Sequence, residues 1–367
     1  VVMDNSLYRY FGQRSYKIAL VLPFNTKDGA DKANTNQMDF YAGALLAFNE
    51  FQQMNPGKNY KLEVIDINDY GSPFALTMSG KLDDCELIIG PVYEKNLTPL
   101  ATWAQGNRIP VVSPLDPKAA KLVKANPYFF QYPPTPETLK ESVYNKIAED
   151  ATDCRSLLLY EKWTGKSEFV TRTMSSLNSR GVVYDTLSYD ILEGRGIDAT
   201  MAEKMDMKGA NKVIVASEKE AFVADVLRNL LLVKGNNDSL TIDVYGPSKW
   251  KNFEIIELEY FHLLHTHLSI QYYVDYNTLQ VNNFISSFRE NFNTDPTPYA
   301  FQGHDILMFF IEALDEYGRE FPIHINNKEK SLLQSTIRFE KASNEGGFQN
   351  NGVRNIIYYD NWEIKSW

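Results

Sequence analysis

The chain has 367 residues, 44% of them hydrophobic and 23% charged, which is close to the average of globular proteins and long enough for two hydrophobic cores. Its formal net charge of −10 argues against a nucleic-acid or anionic-membrane partner, because either surface would need clustered Lys and Arg. No window approaches the roughly 18 apolar residues of a membrane span, so we expect no transmembrane segment in this chain.

The first part of the chain alternates strand-like and helix-like segments. Residues 1–15 are polar and irregular and indicate a linker or arm. Asp39 is expected to cap the first long helix, whose apolar side chains recur at helical spacing. Short apolar segments stopped by turn formers predict buried parallel strands at residues 17–24, 60–66, 87–92 and 109–115.

One strand-helix-strand unit predicts where a ligand would bind. Residues 87–92 and 109–115 predict two parallel strands, and residues 94–106 have the length of one crossover helix. In an open parallel sheet a ligand binds beyond the carboxyl ends of the strands. We therefore expect the loops 90–93 and 113–116 to face a crevice.

The alternation starts again after an aromatic segment, 128–135, that two prolines interrupt. A second series of strands and helices implies a second doubly wound lobe. Its strands are predicted at residues 156–160, 182–184, 212–216 and 242–245. Beyond them the sequence predicts a β-prone segment at 269–274, amphipathic helices at 279–292 and 302–317, and strands at 336–340 and 355–360.

This order resembles the type I periplasmic binding proteins, in particular the branched-chain amino-acid and amide branch of ABC-transporter substrate-binding proteins. The segments that carry the resemblance are residues 17–24, 39–44, 88–91, 109–114, 128–134 and 301–305, together with the closing strands around Gly346-Gly347. The resemblance implies an α/β fold of two doubly wound parallel-sheet lobes joined by three crossover strands.

The resemblance also implies the boundaries of the lobes. The first lobe would comprise residues 16–132 plus 275–335, and the second would comprise residues 136–271 plus 337–367. The chain would cross between them near residues 132–136, 270–275 and 335–338.

The sequence departs from the family in the loops that hold ligand. In amino-acid-binding relatives, the loop after Gly-Pro carries small hydroxyl residues whose side chains and backbone N–H groups hold the ligand carboxylate. Here Gly90-Pro91 is followed by Val92, Tyr93 and Glu94, and a Glu at this turn would repel a carboxylate unless it points away. Ser113 could still offer a hydroxyl, so a free amino acid is an open but not a favoured ligand.

The candidate ligand-binding residues all lie at predicted strand ends or crossovers. The chain is also rich in aromatic side chains, with 22 Tyr and 21 Phe, and aromatic side chains commonly line the clefts that hold small organic ligands. The alternative for each residue is that it packs the hinge or fills a degenerate cleft. The candidates are Tyr93, Ser113, Leu115 and Tyr132 in the first lobe, and Trp163, Thr164, Ser217, Ser248 and Trp250 in the second.

Neither a metal site nor an enzyme is expected. His262, His265 and His267 are closely spaced, and the last two would share one face of a strand, but their neighbours are Leu rather than Cys. The sequence contains no nucleophile elbow, no phosphate-binding Gly-rich loop and no zinc-protease motif. We therefore predict no catalytic residue, metal or cofactor.

Two functions from different classes remain open. The first is an extracytoplasmic small-molecule binding protein, the solute-binding component of an ABC-type transporter or sensor, whose two lobes close on an amino acid, an amide or a cell-wall fragment. Its partners would be the ligand and an ABC permease. The second is a degenerate interaction or scaffold module of the cell envelope, linked to peptidoglycan metabolism, whose partner would be an envelope protein.

Both functions imply a periplasmic or extracytoplasmic protein. Residues 1–16 mix charges with aromatics and lack the apolar core of a signal peptide, so any leader is expected to have been removed. A lipid anchor or a tether before Val1 is an open alternative.

Overall fold

The computed structural model describes residues 15–29, 33–151, 154–162, 167–193, 195–235, 237 and 239–366. The chain divides into two compact units, here called unit 1 and unit 2. Unit 1 comprises Val1–Thr135 and Val274–Gly352, and unit 2 comprises Pro136–Tyr273 and Val353–Trp367.

The strands of the described residues alternate with helices over most of the chain. In chain order the strands are β1 (Ser15–Leu22), β2 (Asn59–Asp66), β3 (Cys85–Ile89), β4 (Val111–Ser113), β5 (Phe129–Gln131), β6 (Arg155–Glu161), β7 (Asp185–Tyr189), β8 (Ala210–Val215), β9 (Thr241–Gly246), β10 (His267–Ile270), β11 (Glu329–Ser331), β12 (Thr336–Lys341), β13 (Phe348–Asn350), β14 (Arg354–Tyr358) and β15 (Ile364–Ser366).

The α-helices are α1 (Thr35–Met54), α2 (Pro73–Met78), α3 (Glu94–Asn107), α4 (Pro136–Asp150), α5 (Glu168–Ser179), α6 (Ile197–Glu203), α7 (Glu220–Lys234), α8 (Leu258–Leu263), α9 (Leu279–Phe292), α10 (Pro298–Tyr317) and α11 (Phe321–His324). Short 3₁₀ segments lie at Thr26–Asp28, Ile67–Tyr70, Pro117–Lys124, Ile191–Glu193, Ser248–Asn252 and Gly318–Glu320. In the described part of the chain, no helix is long and apolar enough to cross a membrane.

Each unit is built on one twisted sheet. In unit 1 the described strands follow the order β11-β12-β13-β5-β4-β3-β1-β2, and the run from β13 to β2 is parallel. In unit 2 the order is β15-β14-β10-β9-β8-β6-β7, and the run from β10 to β7 is parallel. The first five strands of each unit therefore have the 2-1-3-4-5 order of doubly wound folds, and the predicted fold class is confirmed.

The parallel strands form because their side chains are buried on both faces. Every residue of β3 and β4 is buried, and all of them except Glu86 and Ser113 are apolar, without the alternation of a half-exposed strand. The core of unit 1 around these strands includes Val21, Ile88, Leu97 and Leu100.

Two helices of unit 1 cross at very short range. A Cβ atom on Gly43 of α1 would lie 1.8 Å from the carbonyl oxygen of Ala300, and a Cβ atom on Gly303 of α10 would lie 1.9 Å from the carbonyl oxygen of Phe40. The two glycines allow the backbones to touch. This contact fixes α10 against α1, so the sequence Phe301-Gln302-Gly303 at the start of α10 has a packing role.

Three sequence-based expectations differ from the structure. The third passage between the units lies at Gly352–Val353 and not near residues 335–338, because β12 and β13 pair within the sheet of unit 1. β7 begins at Asp185, after residues 182–184. Asp39 lies inside α1, which begins at Thr35, and its carboxylate accepts a hydrogen bond from the hydroxyl of Thr297 at 2.8 Å.

Candidate functional site

The order of the strands places a candidate site in each unit. In unit 1 the chain order reverses between β1 and β3, and in unit 2 it reverses between β6 and β8. Ligands of doubly wound folds bind outside the carboxyl ends of the strands at this switch point. The segments concerned are those after Leu22, Ile89 and Ser113 in unit 1, and those after Glu161 and Val215 in unit 2.

Gly90 is required at the end of β3 in unit 1. Its φ is +96°, and a Cβ atom there would lie 2.0 Å from the carbonyl oxygen of Val21 on β1. A residue with a side chain could not be accommodated without moving β1. The close approach sets the direction of the loop that leads through Tyr93 into α3.

The first turn of α3 is capped by a carboxylate from the next loop. Asp116 Oδ2 accepts the backbone N–H of Glu94 at 3.1 Å, and Asp116 Oδ1 accepts the backbone N–H of Lys118 at 2.9 Å. The free N–H groups and the dipole of a helix N-terminus favour an anion at this position. In this protein the chain itself supplies that anion.

Two buried side chains hold the loop that carries Asp116. The hydroxyl of Ser113 is fully buried and donates to the carbonyl oxygen of Asp116 at 3.4 Å, and Gln131 Nε2 donates to the same oxygen at 3.0 Å. Ser113 therefore supports the loop and presents no exposed hydroxyl. Leu115, in the same loop, is half-buried.

Tyr93 is the candidate of unit 1 with the most exposed side chain. It precedes α3, is 46% exposed, and makes no capping hydrogen bond with its side chain. The adjacent Glu94 pairs with Lys121, so its negative charge is balanced locally.

Tyr132 is fully buried, and its hydroxyl donates to the hydroxyl of Ser335 at 2.7 Å. Its backbone carbonyl accepts Asn350 Nδ2 at 2.9 Å. The expectation that Tyr132 lines a ligand space is therefore corrected: its side chain joins the segment after β5 to the segment before β12.

In unit 2 the segment after β8 is organised by Trp250. The indole N–H of Trp250 donates to the carbonyl oxygen of Ser217 at 2.9 Å, and the ring is fully buried between Phe253 and Phe261. A Cβ atom on Gly246 would lie 2.5 Å from the same ring. Trp250 was predicted as a ligand contact, but the structure shows that it is a core residue.

The other candidates of unit 2 have different environments. Ser217 is buried, and its hydroxyl oxygen accepts the backbone N–H of Lys219 at 3.1 Å. Ser248 is half-buried at the start of a 3₁₀ turn. Trp163 and Thr164, which follow β6, lie outside the described residues.

A pocket between Ala216, Tyr245 and Phe169 in unit 2 encloses only about 20 Å³. This volume holds about one water molecule, and the pocket is lined mainly by apolar side chains. It is therefore too small for a solute.

Sequence reasoning missed the two carboxylates that organise the loops of unit 1, Asp116 and Asp66. Asp66 at the end of β2 accepts the backbone N–H of Phe24 at 3.2 Å and that of Asn68 at 3.0 Å. An Asp that directly precedes a helical turn is a capping signal, and this signal was available at both positions.

The three clustered histidines of unit 2 bind separate partners. His262 Nδ1 lies 2.6 Å from the carbonyl oxygen of Tyr359, and His265 contacts Asp243 and Asp360 at 3.1 and 3.2 Å. His262 lies in α8. His265 has a φ of 39° and precedes β10, so it does not share a strand with His267 as expected. His267 opens β10 and stacks on Tyr245.

The protonation of two of these histidines is shifted in opposite directions. The hydrogen bond to the Asp243 carboxylate raises the pKa of His265, although burial opposes this effect. Burial lowers the pKa of His267 to about 4. In the described part of the chain, no three His, Cys, Asp or Glu side chains are grouped as metal ligands.

Comparisons with known proteins identify the fold. The structure is similar to that of a protein assigned as a branched-chain amino acid ABC transporter in Rhodospirillum rubrum, with a TM-score of 0.62 and 13% identity over 96% of this chain and 100% of the other. The chain has the type I periplasmic binding fold. The expected resemblance to branched-chain amino acid substrate-binding proteins is thus confirmed at the level of the fold.

Two further solved structures share this fold. An ABC transporter substrate-binding protein from Desulfitobacterium hafniense in complex with Leu matches with a TM-score of 0.51 and 14% identity over 96% of this chain and 100% of the other. Full-length LpoA from Haemophilus influenzae matches with a TM-score of 0.56 and 16% identity, and the chain covers 59% of it. No protein-family model and no curated protein sequence matches the chain.

Proposed function

We propose that this protein is an extracytoplasmic, non-catalytic binding protein that delivers a small molecule to an ABC-type permease or a sensor. The observation that carries the proposal is the type I periplasmic binding fold over 96% of the chain, which it shares with ABC substrate-binding proteins. The strand order supports the same function, because it places loops at the switch point of each sheet.

The proposed ligand does not present a free carboxylate to the start of α3. Asp116 already accepts the N–H of Glu94, the first residue of this helix. A ligand carboxylate there would find this N–H already bonded and would be repelled by Asp116. We infer that an amide, an aromatic compound or a cell-wall fragment is preferred to a free amino acid.

Tyr93 is the proposed ligand contact of unit 1, since at 46% exposed it is the most accessible candidate of that unit. An amphipathic ring of this kind suits a ligand with both apolar and hydrogen-bonding surface. Leu115, Ser248, Trp163 and Thr164 stay in the proposal as neighbours of strand ends, whereas Trp250, Tyr132 and Ser113 support the loops from within.

Thermal unfolding with matched pairs of ligands tests this proposal. The pairs are leucine with leucinamide and benzoate with benzamide, which differ at the carboxyl group. A ligand at about 100 times its Kd stabilises the folded state by about 2.7 kcal/mol. We expect the larger rise in melting temperature from the amide of a pair, and we expect Tyr93→Ala to abolish it.

Asp116→Asn removes the internal negative charge and should shift the preference towards the acid of each pair. A melting temperature that rises equally for acid and amide would contradict the proposed ligand class. If none of the amides, aromatic compounds, sugars or muropeptides in a broader panel raises the melting temperature, the transport function itself is rejected.

A second candidate function is a scaffold of the cell envelope linked to peptidoglycan metabolism. The internal carboxylate at α3 and the buried Trp250 favour it, because both replace features with which a cleft would hold ligand. Chemical crosslinking in intact cells separates the two functions. Crosslinks to a permease would support transport, and crosslinks to cell-wall synthases would support the scaffold.

A further inference from the structure

A second cavity lies on the helical side of unit 1. It has a volume of about 590 Å³ and lies between α1, α9, α10, β11 and the segment that follows β11. This volume falls within the ordinary range of ligand sites. None of its lining residues belongs to the loops at the carboxyl ends of β1, β3 or β4.

Side-chain amides line the cavity from two helices. Asn49 and Gln53 project from α1, and Gln280 and Asn283 project from α9. All four residues are exposed, and none of their side-chain amides hydrogen-bonds to another described residue. Each amide offers both donors and an acceptor, so together they form an unused set of hydrogen-bonding groups.

The spacing of the polar groups suits a linear ligand. Asn49 and Gln53 are four residues apart on α1, and Asn283 and Ser287 are four residues apart on α9. One turn further on, Asn291 Nδ2 donates to the backbone carbonyl oxygen of Ser287 at 2.8 Å. Four residues of α-helix rise about 6 Å. An extended peptide repeats every two residues, or about 6.7 Å, so its backbone groups on one side recur at nearly the same interval as the polar groups.

The charges in the cavity are already balanced. Glu50 Oε2 lies 3.2 Å from His304 Nε2, and Lys330 pairs with Glu312. Burial opposes a charge on His304, but its hydrogen bonds to Asp305 and Glu50 raise the pKa of its imidazole. Paired charges leave no strong preference for an ionic ligand, whereas the free amides favour a neutral one.

The apolar part of the lining is aliphatic. Met54 and Leu332 are accessible, whereas the ring of Phe284 is 7% exposed. An open aromatic face on which a sugar ring could stack is therefore missing from the described lining residues. This lining suits aliphatic side chains of a peptide better than a glycan.

We propose that this cavity binds an extended, uncharged peptide segment of another protein, whose backbone N–H and C=O groups pair with the amides of α1 and α9. About three residues of extended chain would span the row from Gln280 to Ser287, which covers about 10 Å of helix. This peptide site is independent of the proposed small-molecule site.

A displayed library of random heptapeptides, selected on the full chain, provides the probe. An enriched peptide is synthesised with a fluorescent label, and its Kd is measured by anisotropy for the wild type and for Gln53→Ala, Asn283→Ala and Gln52→Ala. Gln52 is an exposed Gln on the same helix outside the cavity and is therefore the matched control. Loss of one hydrogen bond should raise the Kd about fivefold in the first two variants and leave it unchanged in Gln52→Ala.

A second probe tests whether the peptide backbone is read. Two versions of the peptide carry backbone N-methyl groups, one at the odd-numbered residues and one at the even-numbered residues. One of the two should bind at least tenfold more weakly than the unmodified peptide, because only one side of the extended peptide faces the amides. Enriched peptides that bind all variants equally would overturn the proposal. Binding of a tetramer of N-acetylglucosamine that depends on Gln53 would also overturn the proposal, since the site would then be one for glycans.

Discussion

The carboxylate of Asp116 accepts the backbone N–H of Glu94, the first residue of α3, at a distance of 3.1 Å. The two residues are separated by 22 positions in the chain, so this cap depends on the pairing of β3 with β4. The same carboxylate accepts the N–H of Lys118 and starts the following 3₁₀ segment. One side chain thus sets both loops at the switch point of unit 1.

Asp116→Ala should destabilise unit 1, because both backbone N–H groups lose their acceptor. Loss of a capping side chain costs about 0.5–2 kcal/mol, and we expect the upper half of this range. The midpoint of urea unfolding measures the effect. Asp69→Ala is the control, since Asp69 takes part in an exposed ion pair with Lys27 that contributes less than about 1 kcal/mol. Equal midpoints for the two variants would show that Asp116 is not the principal cap.

The fold could be predicted from the sequence because its signals are local. Strands such as β3 are apolar apart from one charged residue, Glu86, since both faces of a parallel sheet are covered. α9 was predicted at residues 279–292, because its cap and its apolar periodicity lie within the segment itself, where Thr278 accepts the N–H of Val281. β7 was misplaced because its residues are less buried and Val183, just before it, is 86% exposed.

The candidate site was harder to predict, because the role of its residues depends on distant neighbours. Trp250 and Tyr132 follow strand ends as ligand contacts do, but Gly246 and Phe261 bury the first ring, and Ser335 binds the hydroxyl of the second. A single sequence does not show which residues meet across such separations. The strand ends were therefore predictable, and the groups exposed at them were not.

Adding a methyl group at the contact between α1 and α10 should destabilise unit 1. A Cβ atom on Gly303 would lie 1.9 Å from the carbonyl oxygen of Phe40, and one on Gly43 would lie 1.8 Å from that of Ala300. Gly303→Ala and Gly43→Ala must therefore separate the helices, at a cost of about 1–3 kcal/mol or more. Urea unfolding followed by circular dichroism measures this loss.

The matched control for the glycine variants is Gly106→Ala. Gly106 lies near the end of α3, and a Cβ atom there meets nothing within 4 Å. Since Ala favours a helix over Gly by roughly 1 kcal/mol, this variant should keep or raise the midpoint. A midpoint for Gly303→Ala as high as that for Gly106→Ala would contradict the close helix contact.

The fluorescence of Trp250 should report on the core of unit 2 and not on ligand binding. Trp250→Ala removes a fully buried ring and should cost about 3–5 kcal/mol, with loss of the blue-shifted part of the tryptophan emission. Trp362→Ala is the control, because the Trp362 ring is 61% exposed; it should remove red-shifted emission with little change in stability. Red-shifted emission from Trp250 in the folded protein would show that its ring reaches solvent.

His267 and His265 should make the stability of unit 2 depend on pH in opposite directions. Burial lowers the pKa of His267 to about 4, so the unfolded state, with a pKa near 6.5, binds more protons between these values. The stability that neutral His267 contributes is present above pH 6.5 and is lost as the pH falls towards 4. His265 has the opposite effect on the pH dependence of stability. Asp243 raises the pKa of His265, so the stability that the charged imidazole contributes is complete below pH 6.5 and is lost as the pH rises through the folded pKa.

His267→Phe keeps an aromatic ring stacked on Tyr245 and cannot be protonated. A difference of about 2.5 pKa units corresponds to a stability change of order 3 kcal/mol. His267→Phe should therefore gain about this much relative to the wild type between pH 6.5 and 4, measured as urea midpoints across that range. His265→Asn should instead lose stability relative to the wild type, and most strongly below pH 6.5. A pH-independent difference between His267→Phe and the wild type would show that His267 is protonated equally in the folded and unfolded states, and that burial does not hold its ring neutral.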